Sequence, residues 1–149
     1  MGVEKIVFKN ALKIYLGVVL FFFLMKLLNL DTVTELRILN FGFVFWGVNS
    51  VIKENIFNNN NTNYLQNLFI GLFTSLLSVF FIIISFSIYL FYIEPSFIHV
   101  VEDSSLWGSD LTPPLISAAI FIEGMASSIV CSFIVMQFWK NKKNPNNNI

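Results

Sequence analysis

From residue 65 to residue 92 the chain carries no charged side chain. A helix rises about 1.5 Å per residue, so this run reaches roughly 40 Å and exceeds the ~30 Å hydrocarbon core of a bilayer. It reads as a membrane-spanning helix that tilts or overhangs. The rest of the chain fits the same solvent. A soluble domain charges about a quarter of its residues, whereas these 149 residues are 56% hydrophobic and 12% charged. The predicted fold is an all-α membrane protein, a bundle of four transmembrane helices. One transmembrane domain covers 1–140, with spans at about 11–30, 36–52, 65–92 and 115–139.

The connections follow from local chemistry. Lys5, Lys9 and Lys13 precede the first apolar run as they would in a signal peptide. However, Lys26-Leu27-Leu28-Asn29-Leu30 offers no small-residue cleavage site, so the segment is expected to be retained. The short link at 31–35 makes the first two spans an antiparallel hairpin. Asn58-Asn59-Asn60-Asn61 lies within a polar break at 53–63, predicted to be a flexible loop because asparagine favours turns over helix. Glu94-Pro95 ends the third span, since a residue before proline avoids the helical region. A short interfacial helix is expected over 95–101, with Phe97, Ile98 and Val101 turned inward. Pro113-Pro114 open the fourth span, and 141–149 form a disordered polar tail.

Charge sets the expected orientation. With four spans, Lys5, Lys9, Lys13, Lys53, Lys140, Lys142 and Lys143 share one side, opposite Asp31, Glu35, Glu94, Glu102, Asp103 and Asp110. The positive-inside rule places both termini in the cytoplasm, with Tyr15, Tyr64 and Trp139 as inner aromatic anchors and Tyr92 and Trp107 as outer ones.

Small residues mark where membrane helices meet. Gly71, Ser75, Ser78, Ile82, Ser85, Tyr89 and Tyr92 form a seam on the third span, and Ser117, Phe121, Gly124, Ser128, Cys131 and Val135 form one on the fourth. The expectation is that the two seams pack together, the serines bonding their own backbone. The alternative is a polar track for water or an ion.

Glu123 is the one acid deep in an apolar run. A carboxylate there costs roughly 2.5–3.5 kcal/mol. The Leu, Ile, Val and Phe residues of its span return about 5 kcal/mol in total, so insertion wins narrowly and the acid should be buried against protein. The predicted intramembrane polar cluster is Glu123, Arg37 and Asn40, with Lys26 as the alternative cation. Arg37 is the only arginine, and its planar donor fork suits a carboxylate. The other expectation is that Glu123 is protonated and only joins helices.

Other chemistry is sparse. Cys131 stands alone and reads as a packing residue. His99 lacks the three or four ligands of a metal site, and Glu102-Asp103 reads as a solvated acidic pair. No phosphate-binding glycine loop, nucleophile motif or zinc spacing is present in the sequence. No cofactor or metal is expected, an enzyme is not, and zero net charge offers no field for nucleic acid.

Three stretches, Phe91-Tyr92-Ile93-Glu94-Pro95-Ser96-Phe97, Ile120-Phe121-Ile122-Glu123-Gly124-Met125-Ala126-Ser127-Ser128 and Met136-Gln137-Phe138-Trp139-Lys140, carry a resemblance. The chain resembles a family of small four-span inner-membrane proteins of flavobacteria and their relatives, whose function is unassigned. In that family a tyrosine-acid-proline-phenylalanine step ends the third helix and a glutamate-glycine pair sits in the fourth. The resemblance covers mainly 65–140 and implies a bacterial inner-membrane location and no particular activity.

Two functions are expected from these features. The first is a non-enzymatic accessory or structural subunit acting through helix–helix association with itself or other membrane proteins in the bilayer. The second is a small transporter or proton-coupled protein in which Glu123 titrates.

Overall fold

The apolar periodicity of the N-terminal residues starts earlier than their charge suggests. In the computed structural model, which describes residues 2–30, 34–104 and 112–140, helix α1 runs Val3–Leu27 rather than starting near residue 11. Ile6, Val7, Asn10, Ala11 and Ile14 recur at helical spacing and are all buried, while Lys5 and Lys9 face outward. The side chains of residues 34, 35, 37, 103 and 104 also lie outside the described set. Asn29 (φ 53°) ends α1: its N–H donates to the Lys26 carbonyl and that of Leu30 to the Met25 carbonyl at 2.9 Å. Asparagine suits this left-handed cap.

A 3-10 turn at Thr34–Leu39 leads into α2, Asn40–Asn59. The polar break predicted at 53–63 is therefore helical as far as Asn59, and Asn60, with φ 52°, closes the helix. The asparagines stay helical because their amides find tertiary partners, which outweighs a weak intrinsic preference. Asn59 Nδ2 donates to Asn55 Oδ1 at 2.9 Å, and Asn55 Nδ2 donates to Asn67 Oδ1 at 2.8 Å.

Helix α3 spans Tyr64–Ile88, capped by Asn63, whose side chain accepts the Gln66 N–H at 3.2 Å. It continues into a π turn, Tyr89–Ile93, ended by Glu94 in an extended conformation before Pro95. The short helix expected at 95–101 is α4, Phe97–Ser104, and its inward residues Phe97 and Val101 are buried against protein. Helix α5, Pro113–Trp139, starts with proline in its first turn after the extended Thr112. Residues 31–33, 105–111 and 141–149, including Trp107 and the tail, lie outside the described residues.

Every regular element among the described residues is helical. Among the described residues, three helical stretches are long and apolar enough to cross a membrane: Val3–Leu27, Tyr64–Ile93 and Pro113–Trp139. Helix α2 falls outside that set because it carries Lys53, Glu54 and several asparagines. It sits instead in the middle of the packing. α2 and α3 contact each other, and each contacts both α1 and α5. Lys9–Glu54 and Gln137–Tyr64 join one end of the molecule, and Lys26–Glu94 and Ser87–Ser117 join the other, so successive long helices run antiparallel.

Ile6, Ile14, Val48, Val51, Ile52, Val135 and Met136 form the centre of the core. Leu20, Phe69, Phe73, Phe80 and Phe138 remain exposed around the outside. Large apolar side chains on all outward faces suit a lipid solvent. Polar groups turn inward instead, as Asn49 does in accepting the Trp139 indole N–H at 2.7 Å. That bond draws Trp139, the last residue of α5, into the core. Tyr15, with α1 starting at Val3, lies mid-helix and shares a 2.8 Å hydrogen bond with Ser85.

Candidate functional site

The last turn of α1 and the π turn that continues α3 together build a polar site. Lys26 lies in the last turn of α1, Tyr89 opens the π turn, and Glu94 follows it. The Lys26 ammonium pairs with the Glu94 carboxylate and donates to the Tyr89 hydroxyl, which in turn donates to Glu94. Phe22, Phe86 and Phe97 surround the tyrosine, all edge-on to one another, and Phe22 and Phe97 are edge-on to Tyr89 as well. Lys26 Nζ lies 5.0 Å from the Tyr89 ring centre and 5.6 Å from that of Phe97. An ammonium at that distance gains from the ring quadrupole as well as from the carboxylate. The π turn matters because it widens the helix by one residue. Tyr89 and Leu90 then face the protein, while Tyr92, predicted to continue the seam, is 83% exposed.

Of the predicted cluster of Glu123, Arg37, Asn40 and Lys26, the alternative cation Lys26 lies in this other site. Lys26 joins Glu94 because α1 packs on α2 and α3, whereas Glu123 belongs to α5. Glu123 is exposed on the outer face of α5 rather than buried against protein. Glycine at the next position explains the rotation. Gly124 meets α3 so closely that an added Cβ would lie 2.6 Å from Val79 Cγ1, which turns the preceding side chain outward. Asn40 begins α2, with its Oδ1 buried and unpartnered among the described residues, and the Arg37 side chain lies outside them.

The seam residues are placed as follows. Gly71 sits where α2, α3 and α5 converge; a Cβ there would lie 3.1 Å from Val48 and 3.3 Å from Ser132. Ser75, Ser78 and Ser128 are fully buried and donate to carbonyls of their own helices at 2.7–3.0 Å. Ser85 departs from the α5 side and pairs with Tyr15 of α1. Phe121, predicted to continue the α5 seam, is exposed.

Sequence reasoning missed two centres. Lys26 and Glu94 both fall at the predicted outer boundary, a signal that could have paired them, but Glu94 reads from the sequence only as the end of the third span and one of the outer acids. The asparagine network of Asn55, Asn59 and Asn67 was missed because a run of asparagines resembles a loop.

Comparison of the chain with protein-family models, with curated proteins and with solved structures finds no match. The likeness carried by residues 91–97, 120–128 and 136–140 therefore rests on those residues alone.

The Lys26–Glu94 pair can be isolated energetically. Its side chains are 33% and 35% exposed, so solvent screening limits a coupling that would otherwise be larger. Lys26→Met and Glu94→Gln are each expected to destabilise the protein, and the double variant by about 1 kcal/mol less than their sum. Unfolding of the four proteins in one detergent measures this, and strict additivity would show that the contact contributes nothing.

Proposed function

We propose that this is a non-enzymatic integral membrane protein, an accessory or structural subunit that works by association of its helices with other membrane helices or with a second copy. In this reading α2 is a fourth span held by its neighbours, both termini face the cytoplasm, and the membrane is a bacterial inner membrane. The observation that carries the reading is the outward face of α5, where Phe121, Ile122, Met125, Ile129, Phe133 and Ile134 are exposed, with Glu123 among them. A second helix packed on this face would cover those apolar side chains and lie against the Glu123 position.

Coupled transport through Glu123 has less support. Thr74, Ser75, Ser78 and Ser128, which would line a polar track, are fully buried, with their hydroxyl protons committed to carbonyls.

Cross-linking in native membranes and mass measurement in mild detergent test the proposal. The wild type is expected to assemble, Glu123→Leu to lose most of the assembly, and Glu123→Gln, which keeps hydrogen bonding, to retain it. A strictly monomeric wild type, or an assembly indifferent to Glu123→Leu, would sink the idea. Loss of function in Glu123→Gln with assembly intact would favour the transporter.

A further inference from the structure

The outward face of α1 has the shape and polarity of an amphiphile. Lys5 and Lys9 are one turn apart and both exposed, and Leu12, Leu16 and Leu20 continue the same line at helical spacing. Leu16 is 52% and Leu20 67% exposed. A shallow groove lined by Glu4, Lys5, Phe8, Lys9 and Leu12 lies at the charged end of this line. Lys9 is engaged by Glu54 at 3.1 Å, with Lys13 at 3.6 Å from the same oxygen, but Lys5 has no ion pair among the described residues. The stripe from Lys9 to Leu20 rises about 16 Å, close to half the ~30 Å hydrocarbon thickness.

We propose that this face holds an anionic phospholipid. The phosphate sits between the Lys5 and Lys9 ammonium groups, and an acyl chain runs along Leu12, Leu16 and Leu20 with the Phe8 ring beside its upper carbons. Charge selects the ligand. Lys5, Lys9 and Lys13 gather at this end of α1 against the carboxylates of Glu4 and Glu54, leaving an excess of positive charge at headgroup level. The leucines that follow match a lipid tail in both length and polarity. Glu4, lining the groove, disfavours a headgroup with several negative charges and so favours one with a single charge.

Native mass spectrometry of the full chain, with equal amounts of phosphatidylglycerol and phosphatidylcholine, tests this. The wild type is expected to retain phosphatidylglycerol in preference. A lysine in contact with an anionic headgroup contributes about fivefold to its retention, so K5Q/K9Q should cut retention roughly tenfold or more. K53Q/K140Q, which removes the same charge from the same end, should change it by less than about twofold. Should the first double variant misfold, Lys5→Gln breaks no ion pair and is expected to lose about threefold to fivefold. Equal retention of the two lipids by the wild type, an equal loss in K53Q/K140Q, or no loss in K5Q would overturn the proposal.

Discussion

Replacing Asn67 with leucine is expected to lower the stability of the protein by about 2–3 kcal/mol, although the two side chains have the same branching and heavy-atom count. Asn67 is 1% exposed at the start of α3. Its Oδ1 accepts from Asn55 Nδ2 at 2.8 Å, and its Nδ2 donates to the carbonyls of Asn61 and Asn63 at 2.8 and 3.0 Å. One amide thus ties α2, α3 and the connection between them. Leucine would leave Asn55, itself fully buried, with an amide donor that water cannot reach. A stranded buried donor costs more than the bond it made. Asn55→Leu should cost a similar amount by stranding the Asn67 oxygen. The double variant should lose at least 1 kcal/mol less than the sum, because each change removes the group the other leaves unmatched. Denaturant titration in detergent, followed by helical circular dichroism, measures all three. A change below about 0.5 kcal/mol in Asn67→Leu would mean that water solvates the network.

The same asparagines show where the sequence was readable and where it was not. The helices expected at 65–92 and 115–139 are legible to within two residues, because uncharged length, Asn63 at one start, Pro113 at the other and Pro95 beyond an end are local signals. The seam glycines were legible too, since an absent side chain has meaning only at a close contact. Helix α2 was not, because its polar residues are matched by partners far along the chain: Asn49 by Trp139, Asn55 by Asn67, and Glu54 by Lys9. Composition alone treats such residues as solvated. The start of α1 failed for a related reason. Counting lysines ended the span at its charge, whereas the buried Ile6, Val7, Asn10 and Ala11 continue the helix on the opposite face. Glu123 was found, but which way it pointed depended on Gly124 and Val79, a contact between helices that no local pattern encodes.

That contact can be tested directly. Gly124→Val is expected to destabilise the protein by about 3 kcal/mol. A Cβ at Gly124 would lie 2.6 and 2.7 Å from the two methyl groups of Val79, which is buried on α3. Valine in a helix holds essentially one side-chain rotamer, so Val79 cannot swing aside. Either α5 moves away from α3 or it rotates, and both open a core joined by Ser128, Cys131 and Val135. Alanine at Gly124 gains up to about 1 kcal/mol of helix preference, which offsets part of the clash and leaves a loss of about 1 kcal/mol. The decisive variant is Gly124→Ala with Val79→Ala, which removes the opposing methyls and should recover stability relative to Val79→Ala alone. Thermal unfolding in detergent reads the series. If Gly124→Val unfolds like the wild type, α5 is not held against α3 at this point, and the outward direction of Glu123 loses its structural cause. If the series behaves as expected, rotation of α5 in Gly124→Val should also weaken assembly through Glu123. Packing inside the protein and association outside it would then depend on the same turn of helix.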